Sequence, residues 1–171
     1  MAPTSDPSVI AVALQADVIP LYSDGRQSQA AFDIGRGALR ALRALGFAGT
    51  TELTLATWRR ADIIAVNGTG EIWIIEIKSS LEDFRVDRKW PEYRAYCDRL
   101  LFAVAPDFPI EILPEDTGLL IADRFGGEII RAAPHEPLSA ARRKAMLIAI
   151  ARSACLRMQT ALDPESGTVD I

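Results

Sequence analysis

Asp62-Ile-Ile-Ala-Val-Asn-Gly-Thr-Gly-Glu-Ile-Trp-Ile-Ile-Glu-Ile-Lys78 is the stretch that decides the fold. Ile63, Ile64 and Val66 on one side and Ile72, Trp73, Ile74, Ile75 and Ile77 on the other, all β-branched or aromatic, flank Asn67-Gly68-Thr69-Gly70. Asn and Gly supply the φ > 0 conformations that tight hairpin loops need. Runs apolar at successive rather than alternate positions fit strands covered on both faces. Asp62, Glu76 and Lys78 are the exceptions. Side chains alternate along a strand, so Glu76 and Lys78 point the same way. A three-residue loop, Gly68-Thr69-Gly70, pairs Asn67 with Glu71 and sets Asp62 opposite Glu76. Another loop length of the same parity sets them diagonally. Facing carboxylates destabilise a sheet, and burying them unpaired costs several kcal/mol. Two arrangements offset that cost. Either Lys78, with Arg59 or Arg60, neutralises the acids in an ion network, or a divalent cation takes them, since hard cations prefer carboxylate oxygens.

Upstream, Phe32, Gly35, Leu39, Leu42 and Leu45 recur at three- and four-residue steps. They predict a helix over 29–45, capped by Ser28 and stopped by Gly46. Gly35 and Gly37 each weaken it by about 1 kcal/mol relative to Ala. They serve close packing on the sheet or close approach of DNA. Residues 51–58 alternate as a strand, with Leu53 and Leu55 on one face and Glu52, Thr54 and Ala56 on the other. Residues 1–6 are expected to fray, 9–21 to form a short helix or arm, and 23–28 a turn.

Downstream, residues 79–89 hold six charged residues and read as a loop or irregular turn. Pro91 suits the first turn of a helix over 90–98. Trp90, Tyr93 and Cys97 share one face of it, as a core stripe or as aromatics that touch a base or sugar. Residues 100–105 form an apolar strand. A strand–helix–strand order makes it parallel to the strand of Glu76. Pro106, Pro109 and Pro114 mark a loop with a short segment at 110–113. Residues 119–122 and 128–132 form a hairpin around Phe125-Gly126-Gly127. Ser139 caps a last helix running to about Leu162. Ala141, Ala145, Ile148, Ala151 and Cys155 are its expected apolar stripe, and Arg142, Arg143, Lys144, Arg152 and Arg157 its cations, as a solvated face or a DNA contact. A loose tail follows from Asp163. The chain, 1–171, reads as one domain, with a core over about 27–105 and the hairpin and helix over about 115–162.

An Asp, a strand-length gap and Glu-x-Lys resemble the PD-(D/E)XK nuclease superfamily. The flanking text is similar to the MmcB family of bacterial DNA-repair proteins: Lys78-Ser79-Ser80, Asp83-Phe84, Asp87, Lys89-Trp90, Tyr93 and Cys97-Asp98-Arg99-Leu100-Leu101-Phe102-Ala103-Val104. This resemblance spans about residues 27–162. It implies an α/β (α+β) fold with a restriction-endonuclease-like αβββαβ core: a mixed sheet flanked by helices, extended by the hairpin and the C-terminal helix. It also implies phosphodiester hydrolysis in DNA repair. Asp62, Glu76 and the Ile77 carbonyl would hold Mg²⁺ or Mn²⁺, and Lys78 would orient water or stabilise developing charge. Glu52 is either a further acidic helper or a solvated strand residue, and Asp33 is a weaker version of the same idea. Arg59 and Arg60 either grip a phosphate backbone or lie in solvent. Ala61 stands where the superfamily often has Pro. DNA is the implied partner, with a repair protein beside it. Because the fold also hosts members that do not cleave, the alternative is an inactive module that binds nucleic acid or a repair partner.

At 49% hydrophobic and 25% charged, the chain reads as globular rather than disordered. A net charge of −4 and a pI near 5.1 argue against indiscriminate nucleic-acid binding, so any DNA contact must be local. Cys97 and Cys155, with no CxxC and a single His, leave zinc without ligands. They read as buried free thiols of a reducing, cytoplasmic compartment. His135, between two prolines, is a poor general base. No membrane-spanning run is expected. The N-terminus carries Asp6 and no basic residue before its apolar 9–14 stretch, which does not fit a secretory signal. No Walker loop, Ser/His/Asp set or dinucleotide glycine pattern competes with the acidic constellation.

Overall fold

Ser28 opens the first element of the computed structural model, which describes residues 28–166. The expected N-terminal arm and the end of the tail lie outside the described residues. The Ser28 hydroxyl accepts the Ala31 N–H at 3.2 Å and starts α1 (Gln29–Ala44). Gly46, at φ +83, turns the chain out of it. Three antiparallel strands follow: β1 (Phe47–Thr54), β2 (Arg60–Asn67) and β3 (Ile72–Lys78). Then come a short helix α2 (Leu81–Val86), a 3-10 helix (Trp90–Tyr96) and β4 (Arg99–Val104), which runs parallel to β3. After a second 3-10 turn (Ile110–Ile112), β5 (Gly118–Ala122) pairs parallel to β4, and β6 (Gly127–Arg131) pairs antiparallel to β5. The long α3 (Ala140–Leu162) and a 3-10 turn (Pro164–Ser166) end the described chain. The result is one mixed six-stranded sheet, in the order β1-β2-β3-β4-β5-β6, flanked by helices. The α-β-β-β-α-β order and the added hairpin and helix agree with the sequence reading.

Alternation along the strands sets the layers. Ile63, Ala65, Ile75, Ile77, Leu101 and Leu120 meet Ile34, Ala38 and Leu42 of α1. On the opposite face, Ile64, Ile72, Ile74 and Leu100 meet Tyr93, Tyr96, Met146 and Ile150. Beside these, Phe102, Val104 and Leu119 gather Phe108 and Leu113, with Phe84 and Trp90 packed against them. By strand parity Glu76 and Lys78 belong to this second face, under α2 and the 3-10 helix.

Several elements depart from expectation. β1 begins at Phe47 rather than at residue 51 and ends at Thr54. Gly49 lets α1 lie close, since a Cβ there would sit 2.7 Å from the Leu39 side chain. Residues 79–89 are not merely a loop. Ser80 caps Asp83 N–H, and Asp83 accepts the Ser79 N–H in return, which is enough to set one and a half turns of helix. The helix expected over 90–98 is present as a 3-10 helix from Trp90 to Tyr96.

The stripe of α3 is the largest correction. Met146, Ile150 and Ser153 are its buried residues, whereas Ile148 is 50% exposed and Cys155 is also exposed, unlike the buried Cys97. Arg143 and Arg157 fix this orientation. Arg143 forms a two-pronged pair with Asp98 at 2.6 and 2.7 Å, and Arg157 donates to the Thr50 and Thr51 hydroxyls. The most apolar 18-residue window of α3 reaches a mean hydropathy of 1.2, so α3 is also the one helix among the described residues long and apolar enough to cross a membrane by length and composition, against the expectation of none. Here it lies along the sheet.

Candidate functional site

The loop of the β2–β3 hairpin has three residues. Asn67 N–H donates to the Glu71 carbonyl at 3.2 Å, and Gly70 adopts φ +82. The Asn67 side chain accepts the N–H groups of Thr69 and Glu71 and fixes the turn. Ile63 therefore pairs with Ile75, and the next step in register sets Asp62 opposite Glu76.

There the side chains replace the backbone ladder. Asp62 Oδ2 accepts the Ile77 N–H at 2.7 Å, and Glu76 Oε1 accepts the Asp62 N–H at 3.4 Å. The strand ends are splayed, and each carboxylate caps the neighbouring strand's freed donor. Each spends one oxygen on the backbone, leaving Asp62 Oδ1 and Glu76 Oε2. A residue's N–H and C=O face the same neighbouring strand, so the Ile77 carbonyl faces the same gap.

Lys78 closes the site. It is only 4% exposed. Its Nζ lies 3.9 Å from Glu76 Oε2 and donates to Asp87 Oδ2 at 2.6 Å. The electrostatics follow from burial. Desolvation pushes Asp62 up to about 6, against the pull of the Ile77 N–H and of Lys78. Glu76 goes well above the usual carboxylate range, through desolvation and then the charge of Asp62. Burial works against the Lys78 ammonium, but Asp87 and Glu76 outweigh it and its pKa rises, so it stays charged. Asp87 is held low by that ammonium, despite partial burial.

Asp62, Glu76, the Ile77 backbone and Lys78 are thus brought together. The other residues singled out in the sequence go elsewhere. Glu52 sits at a kink in β1, at φ +52, and its carboxylate is 3.6 Å from Arg60. Arg59, in the turn just before β2, makes a two-pronged pair with Glu92 of the 3-10 helix. Tyr93 is buried, its hydroxyl donating to the Arg60 carbonyl at 3.0 Å, and Trp90 packs edge-on against Phe102. Both therefore belong to the core stripe. Asp33 accepts from Gln29 on α1. Among the described residues, no group of three or more His, Cys, Asp or Glu side chains comes together as a metal site.

This geometry can be set beside known proteins. The sequence model of the DNA repair protein MmcB-like family matches residues 19–165. The chain belongs to that family. A solved structure, described as a protein of unknown function, SPO1766, from Silicibacter pomeroyi, is 42% identical with a TM-score of 0.80. The match covers 85% of this chain and 99% of that one. No curated protein matches.

Asp87 is the member of the site in this MmcB-like chain that the sequence reading passed over. Its signal was the density of charge after Lys78. A lysine inside an apolar strand needs an anion within reach, and Asp87 is the one that α2 folds back onto it.

Proposed function

We propose that this protein is a metal-dependent DNA nuclease of PD-(D/E)XK type that hydrolyses phosphodiesters in DNA repair. The observation that carries the reading is the pairing of Asp62 with Glu76 across the splayed hairpin end, with the Lys78 ammonium 3.9 Å from Glu76. Two carboxylates raised by burial form a site that a divalent cation would relieve. Mg²⁺ is commonly held by one or two carboxylates, water and substrate phosphate rather than by a full protein cage, so two acids and the Ile77 carbonyl fit it. When bound, Mg²⁺ or Mn²⁺ would supply a water of lowered pKa and charge on the scissile phosphate. Asp62 and Glu76 would hold it through their remaining oxygens. Lys78, anchored by Asp87, would stand as a fixed positive charge beside the reacting phosphate. The family supports a role in DNA repair.

The test is cleavage of branched, single-stranded and duplex DNA by purified protein with Mg²⁺ or Mn²⁺. Asp62→Asn, which can still accept the Ile77 N–H, should abolish cutting while the circular dichroism spectrum is unchanged. No cutting of any substrate with either metal would count decisively against the reading.

A non-catalytic module remains the second reading. It is favoured by the 2.6 Å Lys78–Asp87 pair, which already satisfies the lysine, and by the two-acid count. It expects DNA or a repair protein to bind equally well after Glu76→Gln.

A further inference from the structure

The sheet edge that carries the acidic site carries a second surface. Lys78 is in register with Val104, and Val104 with Ile121. The β5–β6 turn, Asp123 to Gly126, therefore projects from the same edge as Lys78. α1 crosses that turn at Gly37, where a Cβ would lie 1.9 Å from the Asp123 carbonyl oxygen and 2.4 Å from that of Gly126. Arg40 clamps the crossing by donating to the carbonyls of Arg124 at 2.8 Å and Phe125 at 3.1 Å. Between helix and turn opens a cleft of about 380 Å³, lined by Phe32, Asp33, Arg36, Arg40, Arg124 and Phe125.

Its chemistry differs from that of the rest of the chain. Three guanidinium groups and two aromatic rings face one carboxylate, in a protein of net charge −4. The nearby Asp123 carboxylate is spent inside its own turn, accepting the Phe125 and Gly126 N–H groups at 2.8 and 3.1 Å. Arg36 and Arg124 are exposed and make no ion pair among the described residues. Phe125 is 69% exposed, with the Arg124 guanidinium 4.7 Å over its ring. A ring that is mostly in water with one guanidinium against it, beside a second guanidinium, Arg36, that makes no ion pair among the described residues, is matched by a ligand with a flat ring and anionic oxygens.

We propose that this cleft binds single-stranded DNA, Arg36 and Arg124 taking backbone phosphates and Phe125 stacking one unpaired base. Guanidinium forks match phosphate oxygens. Stacking on an aromatic side chain holds a base without reading its identity, but only where the base is not already stacked in a duplex. To reach Asp62 and Glu76, which lie on the opposite face at the same end of the sheet, the strand would round the C-terminal ends of β4 and β5. The proposal rests on the DNA reading above, but it needs no metal, so binding and cutting can fail separately.

The experiment is fluorescence anisotropy of a labelled oligothymidylate, in EDTA and at several salt concentrations. Phe125→Ala should weaken binding about tenfold. Arg36→Ala and Arg124→Ala should each flatten the logarithmic salt slope by roughly 0.7. Arg152→Ala, on the exposed side of α3, should do neither. The corresponding duplex should bind more weakly than the single strand. Wild type failing to bind at low salt, or Phe125→Ala and the arginine variants binding as wild type does, overturns the proposal. Asp62→Asn binding normally while failing to cut supports it. A wild type that cuts, with Phe125→Ala binding unchanged, overturns the cleft and leaves the nuclease reading standing.

Discussion

Lys78 has the narrowest tolerance of any residue in the site. It ends a strand whose other side chains are almost all apolar, and it is buried between Glu76 and Asp87. Removing it leaves one buried carboxylate and one half-buried carboxylate without a cation. Breaking a buried pair from one side costs about 3–5 kcal/mol, so Lys78→Ala should lower unfolding free energy by that order in urea titrations. Asp87→Ala should cost less, because the ammonium keeps Glu76 and Asp87 is the more exposed partner. The consequence for assays is direct. Inactivity of Lys78→Ala would report unfolding as readily as lost chemistry, whereas Asp62→Asn removes charge and keeps the hydrogen bond to Ile77.

Elements were legible where one period had one meaning. The β2–β3 hairpin was legible as a hairpin, because two apolar runs flank an Asn/Gly turn and strand parity puts Glu76 and Lys78 on one face. Loop lengths of equal parity suited the sequence alike, and the Asn67–Glu71 closure is what sets Asp62 opposite Glu76 rather than diagonal to it. α1 was bounded closely by Ser28 and Gly46. α3 was not, because it carries two apolar faces at helical spacing. Residues 141, 145, 148, 151 and 155 form one; 146, 150 and 153 form the other. Periodicity cannot rank them, and what ranks them is long-range: Asp98 and Thr50–Thr51 receive Arg143 and Arg157. Ile150→Ala should therefore cost about 2–4 kcal/mol, a buried large-to-small change, while Ile148→Ala stays within about 0.5 kcal/mol as an exposed one. Equal costs would mean that α3 docks through the other face. The glycines of α1 give a similar contrast. Packing or DNA approach both suited the sequence, and Gly37 proves to be packed on the β5–β6 turn. Gly37→Ala drives a methyl into two carbonyl oxygens, and a loss of about 3 kcal/mol in thermal or urea unfolding is expected.

The molecule as a whole carries carboxyls shifted in opposite directions, and its response to pH follows from them. Asp98 is buried, which pushes it up, but Arg143 and the N–H groups of Ile72 and Leu138 hold it down at about 2. Its contribution is present above the ordinary carboxylate range and is lost as pH falls toward 2. Asp62 and Glu76 do the reverse: their ionised forms are disfavoured in the fold. The stability they supply is full below the ordinary value of 3.8 for Asp62 and is lost as pH rises through about 6. For Asp62 the span from 3.8 to about 6 amounts to roughly 3 kcal/mol at about 1.36 kcal/mol per unit. Without metal, the protein should be more stable at pH 5 than at pH 8, and Asp62→Asn should remove Asp62's share of that fall while leaving the part that burial of Glu76 contributes. A divalent cation binds only the ionised pair, so it competes with protons. At about a hundredfold over its dissociation constant it adds about 2.7 kcal/mol, or roughly 5–10 °C for a chain of this length. Thermal unfolding with and without Mn²⁺ should show that gain at pH 8, little of it at pH 5, and none in Asp62→Asn. Equal Mn²⁺ shifts in wild type and variant would place the cation elsewhere and remove the physical reason for burying two acids face to face.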